Sequence, residues 1–500
     1  MSTDNDGVGG AAFLEYHEPD IISILTLTSF FFFLAVSEWL SDKIFRAGLI
    51  GQIMVGLIYG VPIGNILPQE WQNTFLALGY VGLILIIFEG GLTIRLDLLR
   101  QSFVLSMFAA LLGVLTPIAL TFAFLYAGLG YGALEAFIVG TALCSTSLGT
   151  TFVVINSTST KDTDFSQTRI GTVLITAAIL DDVCGLVLVS VIHELRAIAT
   201  DQNGNRLGWI IGRPILASGL LALLTPLFAK CAIGPLFRRF VEQRFARFRH
   251  VSNIILMVLV LSAFLAIATF AGASMLFGSF LAGTFVSSLP SKHADGPFVV
   301  LSREHGETAP GKSPTFIHTF EKYILDAQKY ILQPLFFASI GFAIPFLELW
   351  TGEVIWKGVV FTLLMLFGKV VVGICVPLWD LVTIRPPRGG AMLEKAAMPS
   401  SRMELVRSSW AAATLLGTAM VARGEIGLLI IQIGLNEIPF LSRKAFAIGV
   451  WAIVLNTIIG PVSVGFLLKR IGKKIADDPR WGDVNRGSNL VKEGTCYGGW

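Results

Sequence analysis

Five charged side chains stand in otherwise apolar sequence. Asp181 and Asp182 interrupt ITAAILDDVCGLVL (175–188), Lys369 interrupts MLFGKVVVGICV (365–376), and Arg423 and Glu425 interrupt TAMVARGEIGLLI (418–430). A further stretch, GTALCSTSLGTTFVV (140–154), collects Thr, Ser and Gly in one apolar run. Carboxylates, an ammonium and hydroxyl or carbonyl oxygens are the groups that hold a proton or a small cation. One carboxylate holds either a proton or a cation, not both. Competition for it is the simplest way to couple the two.

An ionisable residue at the centre of a bilayer costs about 2.5–3.5 kcal/mol on insertion scales. Such residues face a bundle interior or a watery cavity and mark function by default. The competing explanation is a structural ion pair that fixes helix packing. It suits Arg423 and Glu425. It does not suit both aspartates, because neighbours on a helix point about 100° apart. One can meet Lys369 while the other faces a cavity.

These charges need a membrane around them, and the composition supplies it. The 500 residues are 54% hydrophobic and 14% charged, whereas a soluble domain carries about 25% charged residues. The chain is read as a polytopic membrane protein. The first twenty residues hold five acids and no Lys or Arg, so they lack the basic region of a cleavable signal. The five cysteines are scattered and show neither metal spacing nor a disulfide framework. No Walker motif or Gly-rich nucleotide fingerprint is present. The expectation is a chain without a resident cofactor, without ATP-driven transport and without a nucleic-acid partner.

Thirteen apolar runs of spanning length lie near 21–37, 49–67, 74–92, 103–127, 133–155, 170–192, 208–230, 252–270, 272–289, 331–347, 355–379, 410–435 and 445–468. The split between 252–270 and 272–289 requires Phe270-Ala271-Gly272-Ala273 to be a tight turn. With the acidic N-terminus outside, most of the 37 Lys and Arg fall on the cytoplasmic side. Residues 1–20 then form an extracytoplasmic tail, 21–468 the transmembrane domain and 469–500 a short cytoplasmic tail. The sequon Asn156-Ser157-Thr158 falls inside and stays unglycosylated. FIHTFEKYILDAQKYI (316–331) reads as an amphipathic interfacial helix. The basic loop at 237–250 is an ordinary positive-inside loop or a contact for anionic lipid.

Spans five and twelve are both interrupted by small or polar residues, and polar-interrupted spans in corresponding halves point to a transport site. Spans two to six and nine to thirteen start on opposite sides of the membrane. Topology alone therefore suggests two inverted repeats of five helices.

The LDD of span six, Gly368-Lys369 of span eleven and the RGEIG of span twelve resemble the monovalent cation:proton antiporters, specifically the second cation:proton antiporter family. FEGGLTIRLDLLR (88–100) and LQPLFFASIGFAI (332–344) also look like hallmarks of that family, and the likeness covers about 21–468. The resemblance implies an all-α homodimer of about thirteen helices, with a dimerisation domain and a core of spans four to six and eleven to thirteen. Spans five and twelve would be broken and would cross. Asp182 would be the main carboxylate for the proton and for transported Na⁺ or K⁺. Asp181 would pair with Lys369. Thr146, with Ser145, Thr150 and the other hydroxyls or carbonyls of 145–151, would lie beside the ion, and Arg423 and Glu425 would stabilise or gate the core. Family members with two acids and the lysine tend to be electrogenic. The chain departs from the Kef pattern in lacking a cytosolic nucleotide-binding domain and in having Asp before the second acid.

Three other readings stay open at this level. A cation channel or uniporter also lines its pore with acids, although no TVGYG-like filter occurs here. An intramembrane aspartyl protease needs two carboxyl groups facing each other across a water, and neighbours on one helix diverge. A non-transporting sensor of the same fold is the third. Ion preference, stoichiometry, direction and the resident membrane, plasma membrane or endomembrane, are not written in these residues.

Overall fold

A computed structural model describes residues 18–94, 96–147, 168–200, 207–241, 248–290, 314–383, 402–478 and 480–482. Thr150 and the sequon at 156–158 lie outside them. The described residues are organised as α-helices: α1 (Ile21–Phe45), α2 (Gly48–Tyr59), α3 (Gln69–Leu92), α4 (Leu96–Thr121), α5 (Ala133–Ala142), α6 (Arg169–Thr200), α7 (Leu207–Phe228), α8 (Arg249–Ala271), α9 (Met275–Ser288), α10 (Phe316–Tyr323), α11 (Gln333–Phe342), α12 (Gly352–Val370), α13 (Cys375–Thr383), α14 (Arg402–Ala419), α15 (Glu425–Glu437) and α16 (Arg443–Ala476), with short connecting turns of helix between some of them. Eight helical stretches among the described residues are long and apolar enough to cross a bilayer, and four shorter helices are apolar as well. Lipid leaves backbone groups no partner but the helix itself, which is why apolar runs of this length fold this way.

Helix packing separates two bundles. In one, α1 packs on α2, α2 and α3 on α11, α3 on α9, and α8 on α9. In the other, α4 packs on α5, α6 and α12, α12 and α14 on α16, α5 and α6 on α15, and α13 on α14. The helix α7 lies against α6 and joins the two. Without a hydrophobic drive between helices in lipid, close approach at small residues supplies much of the contact. The first bundle shows this at two reciprocal glycine contacts. A Cβ on Gly56 would stand 2.1 Å from the Ala338 carbonyl oxygen, and one on Gly341 would stand 2.4 Å from that of Ile53. Likewise a Cβ on Gly91 would meet the Phe280 oxygen at 2.2 Å, and one on Gly283 the Phe88 oxygen at 2.2 Å. Residues 88–91 and 338–341, within two stretches singled out in the sequence, thus supply seams of the first bundle.

The turn between α8 and α9 falls at Gly272, whose φ of 86° is left-handed, a conformation that glycine adopts without a Cβ clash. Ser274 then caps α9, its hydroxyl accepting the Leu276 N–H. The apolar run 252–289 is therefore two helices. At its far end Arg238, from the basic 237–250 stretch, donates to the carbonyls of Ser288 and Leu289 at 3.1 and 3.0 Å. That arginine satisfies orphan carbonyls at a helix C-terminus. The helix α10 buries Phe316, Thr319 and Phe320 and is capped by Thr315. The last helix continues eight residues beyond position 468, to Ala476.

Candidate ion-binding site

The site lies where two helices stop. After Ala142, α5 gives way to a non-helical stretch through Ser147, and α14 ends at Ala419 while α15 begins at Glu425. The two interruptions touch. The Ser147 N–H donates to the Ala422 carbonyl at 2.9 Å. Thr146 Oγ1 lies 3.3 Å from the Met420 carbonyl oxygen. A Cβ on Gly424 would stand 2.6 Å from the Ser147 side chain, so the crossing needs a glycine there. Breaking a helix frees backbone groups at mid-membrane depth, tolerated only inside protein or beside a wet cavity.

Arg423 holds the crossing together. It is fully buried, and Nη1 donates to the carbonyls of Ser145 at 2.9 Å and Cys144 at 3.4 Å. Those carbonyls belong to the opposite interruption, beyond the end of α5, where the chain makes no helical hydrogen bonds of its own. The Arg423 carbonyl in turn accepts the Thr457 hydroxyl at 3.1 Å. Among the described residues Arg423 forms no ion pair with Glu425. Its neighbour on the sequence instead opens α15, where the helix dipole favours a negative charge.

Lys369 enters from α12 and is also fully buried. Its ammonium lies 2.7 Å from Asp181 Oδ2 and 2.9 Å from Thr146 Oγ1, and it also donates to the Cys144 carbonyl. Thr146 donates in turn to Asp181 Oδ2. An ammonium has three N–H donors, and all three are taken. Asp181 Oδ1 and Asp182 Oδ1 are both buried with no hydrogen-bond partner in the protein. Asp182 takes no hydrogen bond from the lysine, and Glu425, Asp181 and Lys369 are its charged neighbours. Gly113 of α4 forms a wall of the pair: a Cβ there would lie 3.4 Å from both Asp181 Oδ1 and Lys369 Nζ.

The structure therefore gathers Asp181, Lys369, Thr146 and Ser145 around the crossing, with Asp182 beside it. The carbonyls of 145–151 were expected beside the ion, and that of Ser145 instead accepts from Arg423; the acceptors of Cys144 and Met420 were missed, because a backbone oxygen has no signature in residue type. Also missed was Gly113, which belongs to no charged or hydroxyl-rich segment.

Comparison with known proteins gives the family of the chain. The family model described as the transmembrane sodium/hydrogen exchanger matches residues 27–470. The chain belongs to the sodium/hydrogen exchanger family. A Na⁺/H⁺ antiporter of Enterococcus hirae is 25% identical over 445 residues, 87% of this exchanger and 95% of that protein. The Na⁺/H⁺-K⁺ antiporter GerN of Bacillus cereus is 23% identical, over 84% of this chain and 90% of that one. In fold, the exchanger is similar to the sodium proton antiporter MjNhaP1 of Methanocaldococcus jannaschii, with a TM-score of 0.52 at 15% identity, covering 90% of this chain and 99% of that chain. These relatives are transporters rather than enzymes, and the exchanger is a multi-pass membrane protein.

Proposed function

We propose that the protein exchanges a monovalent cation, Na⁺ or K⁺, for protons by alternating access, with both species competing for Asp182. The observation that carries this reading is the unpartnered carboxylate of Asp182 beside two broken helices. An uncompensated buried carboxylate is costly. A proton or a cation removes that cost, and two ligands relieving the same charge exclude each other. The Thr146 and Ser145 hydroxyls lie in the neighbouring interruption and would supply further oxygens to a cation, Thr146 by giving up part of its bonding to Lys369 and Asp181. Asp181 is paired with Lys369, which leaves Asp182 as the exchangeable group. The relatives named as Na⁺/H⁺ antiporters agree with this reading.

The exchange is electrogenic in this scheme, since both acids and the lysine are present. The bundle of α4–α6 and α12–α16 would move against the other bundle, which would carry a homodimer contact. The N-terminus lies outside and the C-terminus in the cytoplasm, in a plasma membrane or endomembrane, with anionic lipid near 237–250.

The test uses purified protein in liposomes with an imposed pH gradient and a pH dye. Addition of Na⁺, Li⁺ or K⁺ collapses the gradient with wild type and not with Asp182→Asn. Coupled exchange by folded Asp182→Asn would overturn the assignment. An absence of exchange by folded wild type would overturn antiport itself.

A further inference from the structure

The chain after α16 does not trail away. Trp481 is fully buried, in an apolar cluster with Ile170, Val173 and Leu174 of α6 and Leu416 of α14. Its indole N–H donates to Asp380 Oδ2 at 3.1 Å, and Arg480 reaches the same oxygen at 3.0 Å. Ser409 also donates to that oxygen. Asp380 lies on α13 and Ser409 on α14, so one buried carboxylate joins three parts of the chain. Asp478 shapes the turn by accepting the N–H groups of Arg480 and Trp481 at 2.9 and 3.3 Å.

The same turn closes the start of α6. A helix leaves its first four N–H groups without intrahelical partners. Here the Arg169 N–H donates to the Gly482 carbonyl at 3.0 Å and that of Ile170 to the Trp481 carbonyl at 3.2 Å. The next two are taken by Thr168, through its hydroxyl for Gly171 and its carbonyl for Thr172. The Arg169 guanidinium lies 5.2 Å from the Trp481 ring centroid, a cation–π distance.

We propose that this turn is a strap that positions the helix bearing Asp181 and Asp182. The helix runs unbroken from Arg169 through both acids. Asp181 lies twelve residues on, about 18 Å along the axis, so a shift or tilt of the first turn is carried to the carboxylates. The strap also fixes α13 and α14 to that helix, which makes the residues around the crossing move as one body. Trp481 and Asp380 act on the ion site through α6 and touch no ion. They are positioning residues, and the C-terminal segment gains leverage over transport.

The transport arm of the test rests on the proposed antiport; the hydrogen-exchange arm does not. Amide exchange in detergent is compared for wild type, Trp481→Ala and Trp481→Phe. The expected result for Trp481→Ala is at least tenfold faster exchange for amides of 169–176, with amides of α8 unchanged. Trp481→Phe keeps the ring and restores most of the protection. In liposomes, Trp481→Ala changes the apparent KM for the cation at least threefold and moves the pH at half-maximal rate, and Trp481→Phe brings both back towards wild type. Unchanged protection at 169–176, or an equal loss in α8, overturns the strap. If Trp481→Ala does not fold, Trp481→Phe decides: it must show a smaller loss confined to 169–176. Wild type that exchanges no ions defeats the antiport reading and leaves the amide contrast to judge the strap.

Discussion

Lys369 Nζ lies 2.7 Å from Asp181 Oδ2, and its other two protons are held by Thr146 and the Cys144 carbonyl. The ammonium has nothing left for Asp182. Two adjacent residues of the same type therefore have different environments. Asp181 is charge-paired, with one oxygen in a network and the other bare. Asp182 has a buried oxygen without a protein partner.

Removing the lysine leaves Asp181 buried and unpaired. Lys369→Ala should lower stability by about 3–5 kcal/mol, the usual cost of breaking a buried pair from one side. Replacing both partners by apolar residues, Lys369→Met with Asp181→Leu, should recover most of that loss. Thermal unfolding of the purified protein in detergent measures both. A double variant no more stable than Lys369→Ala would show that the pair does not behave as an ion pair.

The two aspartates should separate in a stability assay. Asp182→Asn removes an unpaired buried charge and should leave the melting temperature unchanged or raise it. Asp181→Asn weakens the tie to Lys369 and should lower it. Equal melting shifts for the two variants would contradict the asymmetry seen around Lys369.

Arg423 should not tolerate lysine. Its guanidinium reaches the carbonyls of Cys144 and Ser145 from a fixed plane, and an ammonium on a flexible stem does not reproduce that fork. Hydrogen bonds to a charged group contribute about 1.5–3 kcal/mol. Arg423→Lys is expected to lose an amount in that range, read from unfolding curves, with exchange reduced in the surviving folded protein. Wild-type stability in Arg423→Lys would mean that the crossing is held by other contacts.

Gly113 sets how close α4 comes to the pair. A methyl there sits 3.2 Å from Met420 Cε and 3.4 Å from the charged atoms, tight but not impossible. Gly113→Ala should fold and exchange several-fold more slowly, because the methyl crowds the Asp181–Lys369 pair. Gly113→Val adds branches with no room and should lose about 1–3 kcal/mol by overpacking. Exchange rates in liposomes and melting temperatures check the two substitutions separately.

Much of the architecture was legible because the membrane leaves few choices. Each apolar run contains helix among the described residues, and the break at Gly272 follows from its residue type. The interruptions after Ala142 and Ala419 were visible as small and polar residues within apolar sequence. Less legible was the second role of the glycine-rich hallmarks near 88–100 and 332–344, where residues 88–91 and 338–341 form interhelical seams. A sequence hallmark carries no sign of whether it serves packing or chemistry.

The sequence by itself determined that the protein lives in a bilayer, which apolar runs carry its helices and which five charges stand inside those runs, because transfer free energy depends on residue type. Helix geometry left open which aspartate meets Lys369; the family resemblance implied Asp181, and the structure has that pair. The choice is a matter of how α6 is rotated about its axis, and the rotation is set by packing against α4, α7 and α15. Tertiary structure alone decided that Arg423 binds carbonyls 278 and 279 residues away in sequence rather than Glu425, and that Trp481 returns to the start of α6. Both contacts depend on backbone atoms brought together by folding, and every residue carries the same backbone.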